Sequence, residues 1–267
     1  MTAFDKNSVR NTLSVSFTVC LFCAFLTALA AVLLKSRQDT NTAYDRNITV
    51  LKAAGLLPER PDKANVAEIF KNIRPVMINL SDGKQISAKW DDAQKFDPES
   101  AGRSEDNGYA LSADADVAGI KRMTKLASVF EVFGTEPDNT LKKIILPFYG
   151  AGLWGIMRGY LAFEPDAETI SQIVFYDHKE TPGLGGEVDN PKWQSLWKGR
   201  KAYRGDEIAL RVIKSAGKET VSPYEVDGIS GATITSRSVS EMIRFWLGTN
   251  GYFNYLRRMQ HTAAGKD

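Results

Sequence analysis

The residues best placed to do chemistry in this chain are two hydroxyls, Ser230 and Thr233, separated by the small residues Gly231 and Ala232. They lie in the run Asp-Gly-Ile-Ser-Gly-Ala-Thr of residues 227–233, followed by Ile234, Thr235 and Ser236. Beyond it, apolar residues recur at helical spacing: Val239, Met242, Ile243, Trp246 and Leu247. Ser238 with Glu241 fits a capping box, so the spacing predicts a helix from about Ser238. A threonine in a small-residue turn ahead of a helix sits among unpaired backbone N–H groups and the positive end of the dipole. A phosphate is held most easily there. Arg237 adds a positive charge close by.

A second run, His-Lys-Glu-Thr-Pro-Gly-Leu-Gly-Gly-Glu at residues 178–187, follows a strand pattern with three glycines and a proline. Such a loop is rigid and lets another group approach the backbone closely. A planar redox ring needs backbone donors and acceptors along its edge and an apolar side chain on its face. Leu184 suits the face; Glu180 and Thr181 suit the edge. Standing alone, the run reads equally as a glycine-rich hairpin loop, and His178 as a hydrogen-bonded residue at a strand end. The glycines of residues 150–155 do not complete a dinucleotide loop before a helix.

Composition removes several alternatives. With 34 basic and 32 acidic residues the net charge is +2, and no basic stripe marks a nucleic-acid footprint. Protein-held zinc or iron–sulfur centres normally require more ligands than two cysteines and two histidines. Redox chemistry here therefore calls for an organic cofactor.

The elements that must position these runs begin with a membrane segment. Between Arg10 and Lys35 lie 24 uncharged residues, enough to cross a hydrocarbon core. Ala28-Leu29-Ala30 resembles a signal-peptide cleavage site, but the apolar run continues through Leu34, which favours an uncleaved single-pass anchor in membrane lipid. Cys20 and Cys23 share one face of this span and read as packing residues. Lys6 and Arg10 before the span, against Lys35, Arg37 and Arg46 after it, would by count place the large part in the cytoplasm. That rule weakens for long translocated domains.

Residues 44–56 read as a short helix ending at Gly55, residues 64–73 as a second, and residues 76–86 as a hairpin turning at Asp82-Gly83. Residues 91–116 read as a polar surface excursion. Strand signals then cluster at residues 129–133, 143–148, 155–163, 170–176 and 207–213, with a helix at 191–197. The spacing gives no regular βαβ units, so the expected class is α+β, a mainly antiparallel sheet packed with helices behind one transmembrane helix. The expected divisions are an anchor over residues 1–35, a helix-rich part over 36–128, a cofactor domain over 129–258 and a disordered tail over 259–267.

The run of residues 227–233 resembles the flavinylation motif of the FMN-binding domain family, in which a flavin transferase attaches FMN through its phosphate to the last threonine. More widely, the chain resembles the C-subunit family of bacterial sodium-translocating NADH–quinone reductases. The likeness rests on the anchor, residues 147–155 (Pro-Phe-Tyr-Gly-Ala-Gly-Leu-Trp-Gly), 159–163, 180–185, 227–236 and 245–248 (Phe-Trp-Leu-Gly). One departure is Arg237-Ser238-Val239, where a glycine is expected before the valine.

The resemblance implies a membrane protein with covalently attached FMN, relaying electrons to a second FMN-carrying subunit while sodium export is coupled to ubiquinone reduction. It implies that Thr233 is the attachment site and that Ser230, Gly231, Ala232 and Thr235 surround the phosphate. Glu180, Thr181, Gly183, Leu184 and Gly185 would hold the ring, with Trp154 a neighbour; no residue is catalytic and none binds metal. The soluble part would lie on the periplasmic side of the inner membrane. The related flavin subunit of Rnf-type ferredoxin–NAD complexes shares the motif but lacks the long section ahead of the sheet, and a flavin-binding sensory or assembly module is the alternative of another class. Thr235 follows the β-branched Ile234, which is expected to be buried, whereas little bulk precedes Thr233.

Overall fold

The computed structural model describes residues 9–135, 137–214, 222–263 and 265. They fall into two units, Met1–Arg46 and Asn47–Asp267. The described residues of the first unit, from Val9, lie in helix α1 (Val9–Ala54). Its stretch Val9–Lys35, 27 residues, is long and apolar enough to cross a membrane, about 40 Å at 1.5 Å per residue. Leu13, Phe17, Phe22 and Phe25 along it are exposed, as are Cys20 and Cys23. The separate helix expected over residues 44–56 is instead the end of α1, because residues 36–43 contain no glycine or proline to break it. Gly55, at φ +70°, ends α1: its N–H and that of Leu56 donate to the carbonyls of Lys52 and Leu51 at 3.1 and 2.9 Å.

In the second unit, α2 (Lys63–Phe70) starts at a capping box between Asp62 and Asn65. It stops before the expected Ile73, which opens β1 (Ile73–Asn79). There follow β2 (Gln85–Ile86), α3 (Trp90–Lys95), α4 (Pro98–Arg103), β3 (Gly108–Ala110), β4 (Arg122–Thr124), β5 (Leu126–Phe133), β6 (Leu141–Ala151), β7 (Ile156–Phe163) and β8 (Ile170–Asp177). Six of these strands make one antiparallel sheet in the order β2-β1-β5-β6-β7-β8. After a 3-10 turn (Gly185–Asp189) come α5 (Pro191–Ser195), β9 (Tyr203–Arg204), β10 (Glu207–Ile208), β11 (Arg211–Ile213), β12 (Glu225–Asp227), α6 (Thr233–Trp246) and α7 (Phe253–Ala263). The strand expected over 207–213 is thus broken: β10 pairs antiparallel with β9, and β11 pairs parallel with β12.

Strand alternation places Val76, Ile78, Val129, Ile144, Leu146, Phe148, Leu161 and Ile173 on one face, in a core shared with Trp193 of α5, Met242 and Trp246 of α6, and Tyr255 of α7. The other face buries Met77, Phe130, Val132, Ile145, Tyr160 and Val174. With both faces covered, the strands read as near-continuous apolar runs. The division expected at residue 128 does not separate two compact units. It falls inside β5, whose partner β1 lies on the other side of it, with seven paired positions from Ile73↔Val132 to Asn79↔Leu126.

The expected polar excursion carries α3, α4 and β3, and it is clamped down by charge. Glu99 of α4, buried, receives Arg158 of β7 at 2.8 and 2.7 Å, and Arg158 reaches Asp177 at the end of β8 at 2.5 Å. The tail expected to be disordered from residue 259 is helical through Ala263. Met259 packs on the core, and Gln260 donates to the Ala167 carbonyl at 3.2 Å. Residues 264, 266 and 267 lie outside the described residues.

Glu131 of β5 is buried and accepts from Gln85 Nε2 and the Tyr255 hydroxyl, both at 2.9 Å. Burial raises its carboxyl above the usual range, with the Tyr255 bond and the Arg74 charge pulling the other way. A carboxyl that holds its proton more tightly when folded adds stability below its unfolded value of about 4.3 and loses that contribution as pH rises through the folded value. Glu131→Gln keeps an acceptor for both partners, so it is expected to be more stable than the parent at pH 7–8. Urea unfolding at pH 4 should show that advantage gone; a difference that ignores pH would assign it to packing instead.

Candidate functional site

Residues far apart in the chain meet at the start of α6. The helix begins at Thr233, five residues before the expected Ser238, and its N-cap is Ala232, which offers no side-chain bond to the free end. The capping-box expectation fails because Ser238 already lies inside the helix, whose first turn is held by Thr235 and Ser236 instead. Ser236 Oγ accepts the N–H of Ile229 at 2.9 Å, tying the turn to the first helical turn. Thr235, buried, donates its hydroxyl to Glu180 Oε2 at 2.5 Å. The Trp193 indole N–H holds the Asp227 carbonyl at 2.8 Å, anchoring the incoming strand β12.

Glu180 fixes the opposite wall. Its Oε1 accepts the N–H groups of Leu153 and Trp154, at 2.8 and 3.2 Å, in the turn between β6 and β7. One carboxyl group therefore joins three segments: the β6–β7 turn, the loop after β8, and α6. Gly185 is required beside it, because a Cβ there would lie 2.4 Å from Thr235 Oγ1 and 2.5 Å from Glu180 Oε2. Gly231 is required for its left-handed backbone, φ +76°, and a Cβ would press on Leu184 at 3.2 Å.

Between these walls lies a cleft of 270 Å³ lined by Leu153, Trp154, Glu180, Thr181, Leu184, Gly185 and residues 231–235. Its rim is apolar and open: Leu153 is 46% exposed, Trp154 63%, Leu184 47% and Ile234 56%. Thr233 is exposed within it. The site thus pairs an uncapped helix start, suited to a phosphate, with wet apolar side chains that a flat ring would cover. The chain's residues fit a flavin phosphate.

The expected site residues divide accordingly. Trp154, Glu180, Thr181, Leu184, Gly185, Gly231, Ala232, Thr233 and Thr235 share the cleft. Ser230 lines a separate groove on the other side of Thr233, with Arg237, and Gly183 forms the exposed turn before Leu184. The Thr235 hydroxyl is committed to Glu180 rather than free for a phosphate, and both Glu180 oxygens are occupied by the protein rather than by a ring edge. His178 is the hydrogen-bonded strand-end residue expected, linking Asp189 at 2.9 Å and the Glu180 N–H at 3.2 Å. Leu153 was not anticipated, and Ile234, expected to be buried, is instead exposed in the cleft. With the helix starting at Thr233, the buried positions 235, 236, 239, 242, 243 and 246 leave Ile234 off the core face.

Residues 152–248 match the FMN-binding domain family. The C subunit of the Na(+)-translocating NADH-quinone reductase of Haemophilus ducreyi is 37% identical over 265 residues, covering 98% of this chain and 99% of that protein. The Pseudomonas aeruginosa C subunit is 37% identical over 261 residues, covering 96% and 98%. The crystal structure of Shewanella oneidensis NqrC superposes with a TM-score of 0.75 at 33% identity, covering 83% of this chain and 99% of that one. By sequence over nearly its whole length, and by fold, the chain belongs to the C-subunit family of the Na(+)-translocating NADH-quinone reductases, with an FMN-binding domain over residues 152–248.

Proposed function

We propose that this chain carries FMN as a phosphoester on Thr233 and serves as an electron carrier in a sodium-translocating NADH–quinone reductase, passing electrons to a second flavin subunit. The observation that carries the reading is the cleft itself: residues from 153 to 235 converge on one exposed threonine at an uncapped helix start. Bound FMN supplies one- and two-electron chemistry; the chain's own residues hold and shield. Backbone N–H groups at the start of α6 and the helix dipole favour the phosphate. Leu184, Trp154, Leu153 and Ile234 give apolar cover to the ring and keep water from its faces. Among the described residues, the one carboxyl group lining the cleft, Glu180, is held on both oxygens by the protein, which suits a carrier rather than a site of substrate turnover. After co-expression with a flavin transferase, peptide mass mapping should find FMN on the peptide containing Thr233, retained through denaturation.

The stretch Val9–Lys35 is proposed as the anchor in the inner membrane, with the second unit on the periplasmic side. The family's mode of flavin attachment supports that side, while the flanking charges argue against it. A phosphatase fused after Asp267 should be active. An inactive fusion beside an active cytoplasmic reporter would reverse the orientation.

A further inference from the structure

We propose that the groove on the far side of Thr233, between α6 and β11, docks an acidic segment of the enzyme that attaches the flavin; this rests on the reading of Thr233 as the attachment site. The groove measures 580 Å³ and shares Gly231 and Thr233 with the flavin cleft, so Thr233 stands on the ridge between the two. One wall is a single face of α6, residues 233, 236, 237, 240, 241 and 244, at helical spacing; the other is residues 212–214 of β11 and its end. The walls are fixed to one another: Ser240 Oγ accepts the Val212 N–H at 3.1 Å, and the Gly228 N–H donates to the Ile213 carbonyl at 2.7 Å.

Charge decides the kind of occupant. Among the described residues, Lys214, Arg237 and Arg244 line the groove against one acid, Glu241. Arg237 meets Glu241 at 3.6 Å with side chains 78% and 44% exposed, a weak solvated pair that an incoming carboxylate can displace. Arg244 lies eleven residues beyond Thr233, about 16 Å along the helix, out of reach of a single phosphate on that threonine. The row of cations therefore fits a longer anionic ligand, an acidic peptide segment, better than it fits the cofactor.

Two kinds of partner must approach this ridge, and they need different sides of it. An electron partner gains by lying over the ring, at the apolar rim of the flavin cleft. The attaching enzyme must instead reach Thr233 Oγ. There the hydroxyl proton passes to a base of that enzyme and the new Oγ–P bond replaces a P–O bond of a flavin diphosphate ester. The second phosphate departs with the electron pair. With the ring entering the cleft, the groove is the open side from which that enzyme can grip α6.

The test compares initial rates of covalent labelling of the detergent-solubilised full chain by the transferase, at low and physiological salt. The Arg237→Glu/Arg244→Glu double variant should label roughly tenfold more slowly at low salt and lose the salt dependence of the parent. The Arg237→Lys/Arg244→Lys control should keep both, and the flavin spectrum of whatever double variant is labelled should match the parent, because the cleft is untouched. Equal rates and equal salt dependence would overturn the proposal, as would normal labelling with slowed electron transfer, which assigns the groove to a redox partner. A parent chain that takes no flavin at Thr233 by peptide mapping removes the attachment reading, and this proposal with it.

Discussion

Thr233→Ala is expected to lose all flavin fluorescence that survives denaturing electrophoresis, whereas Thr235→Ala keeps it. The two alcohols are two residues apart and chemically equivalent, so reach decides between them. Thr233 is exposed at the first position of α6, preceded by Gly231 and Ala232. Thr235 is 2% exposed and its hydroxyl is donated to Glu180 at 2.5 Å, so no external active site can engage it without unfolding the turn. Removing that hydroxyl leaves Glu180 Oε2 without its donor, and Thr235→Ala should cost about 1–3 kcal/mol of stability while still labelling. Thr233→Ser should label, since it restores the alcohol. All three variants must be co-expressed with the flavin transferase. Covalent FMN on Thr233→Ala, mapped by peptide mass to Thr235, would show that the wrong alcohol has been chosen.

Glu180→Ala should produce the largest loss of stability among the cleft residues. Three donors lose their acceptor at once: the buried Thr235 hydroxyl and the N–H groups of Leu153 and Trp154. Each unmade bond costs about 1–3 kcal/mol if it stays dry. Leu153 and Trp154 stand on the exposed rim, where water can replace the carboxyl, and such losses do not add fully. A total of about 2–4 kcal/mol follows. Glu180→Gln should recover part of it, since its carbonyl still accepts the two N–H groups while its amide donates to Thr235 Oγ1. Urea unfolding reads the stability, and the Trp154 environment by fluorescence reads the wall. A Glu180→Ala chain within about 0.5 kcal/mol of the parent, labelled normally, would mean that the joint between the walls is dispensable.

Much of this molecule was legible in the sequence because the signals are local. The 24 uncharged residues after Arg10 determine a helix able to span a membrane whatever the rest does. Gly55 stops α1, Asp82-Gly83 turns the first hairpin, and the β-rich runs expected between residues 129 and 176 lie in the antiparallel sheet. The two functional runs, around Thr233 and around Leu184, were also set by residue type and spacing, since small residues and glycines admit a ligand near the backbone.

What only the tertiary structure decided is which polar groups of those runs are free. Hydroxyls at 233, 235, 236 and 238 look alike in sequence, so spacing did not show which of them opens α6. Thr235 and Ser236 became internal because Glu180 and the Ile229 N–H, 55 and 7 residues away, were brought to them. Glu180, expected at the edge of the ring, forms a joint between the walls for the same reason. The join of residues 36–128 to the cofactor domain was likewise invisible, because β1 finds its partner β5 only once both are in the sheet. Long-range pairing of this kind has no signature in spacing. The sequence determined which residues could hold a phosphate and a ring; packing determined that Thr233, and not its neighbour, is left facing solvent.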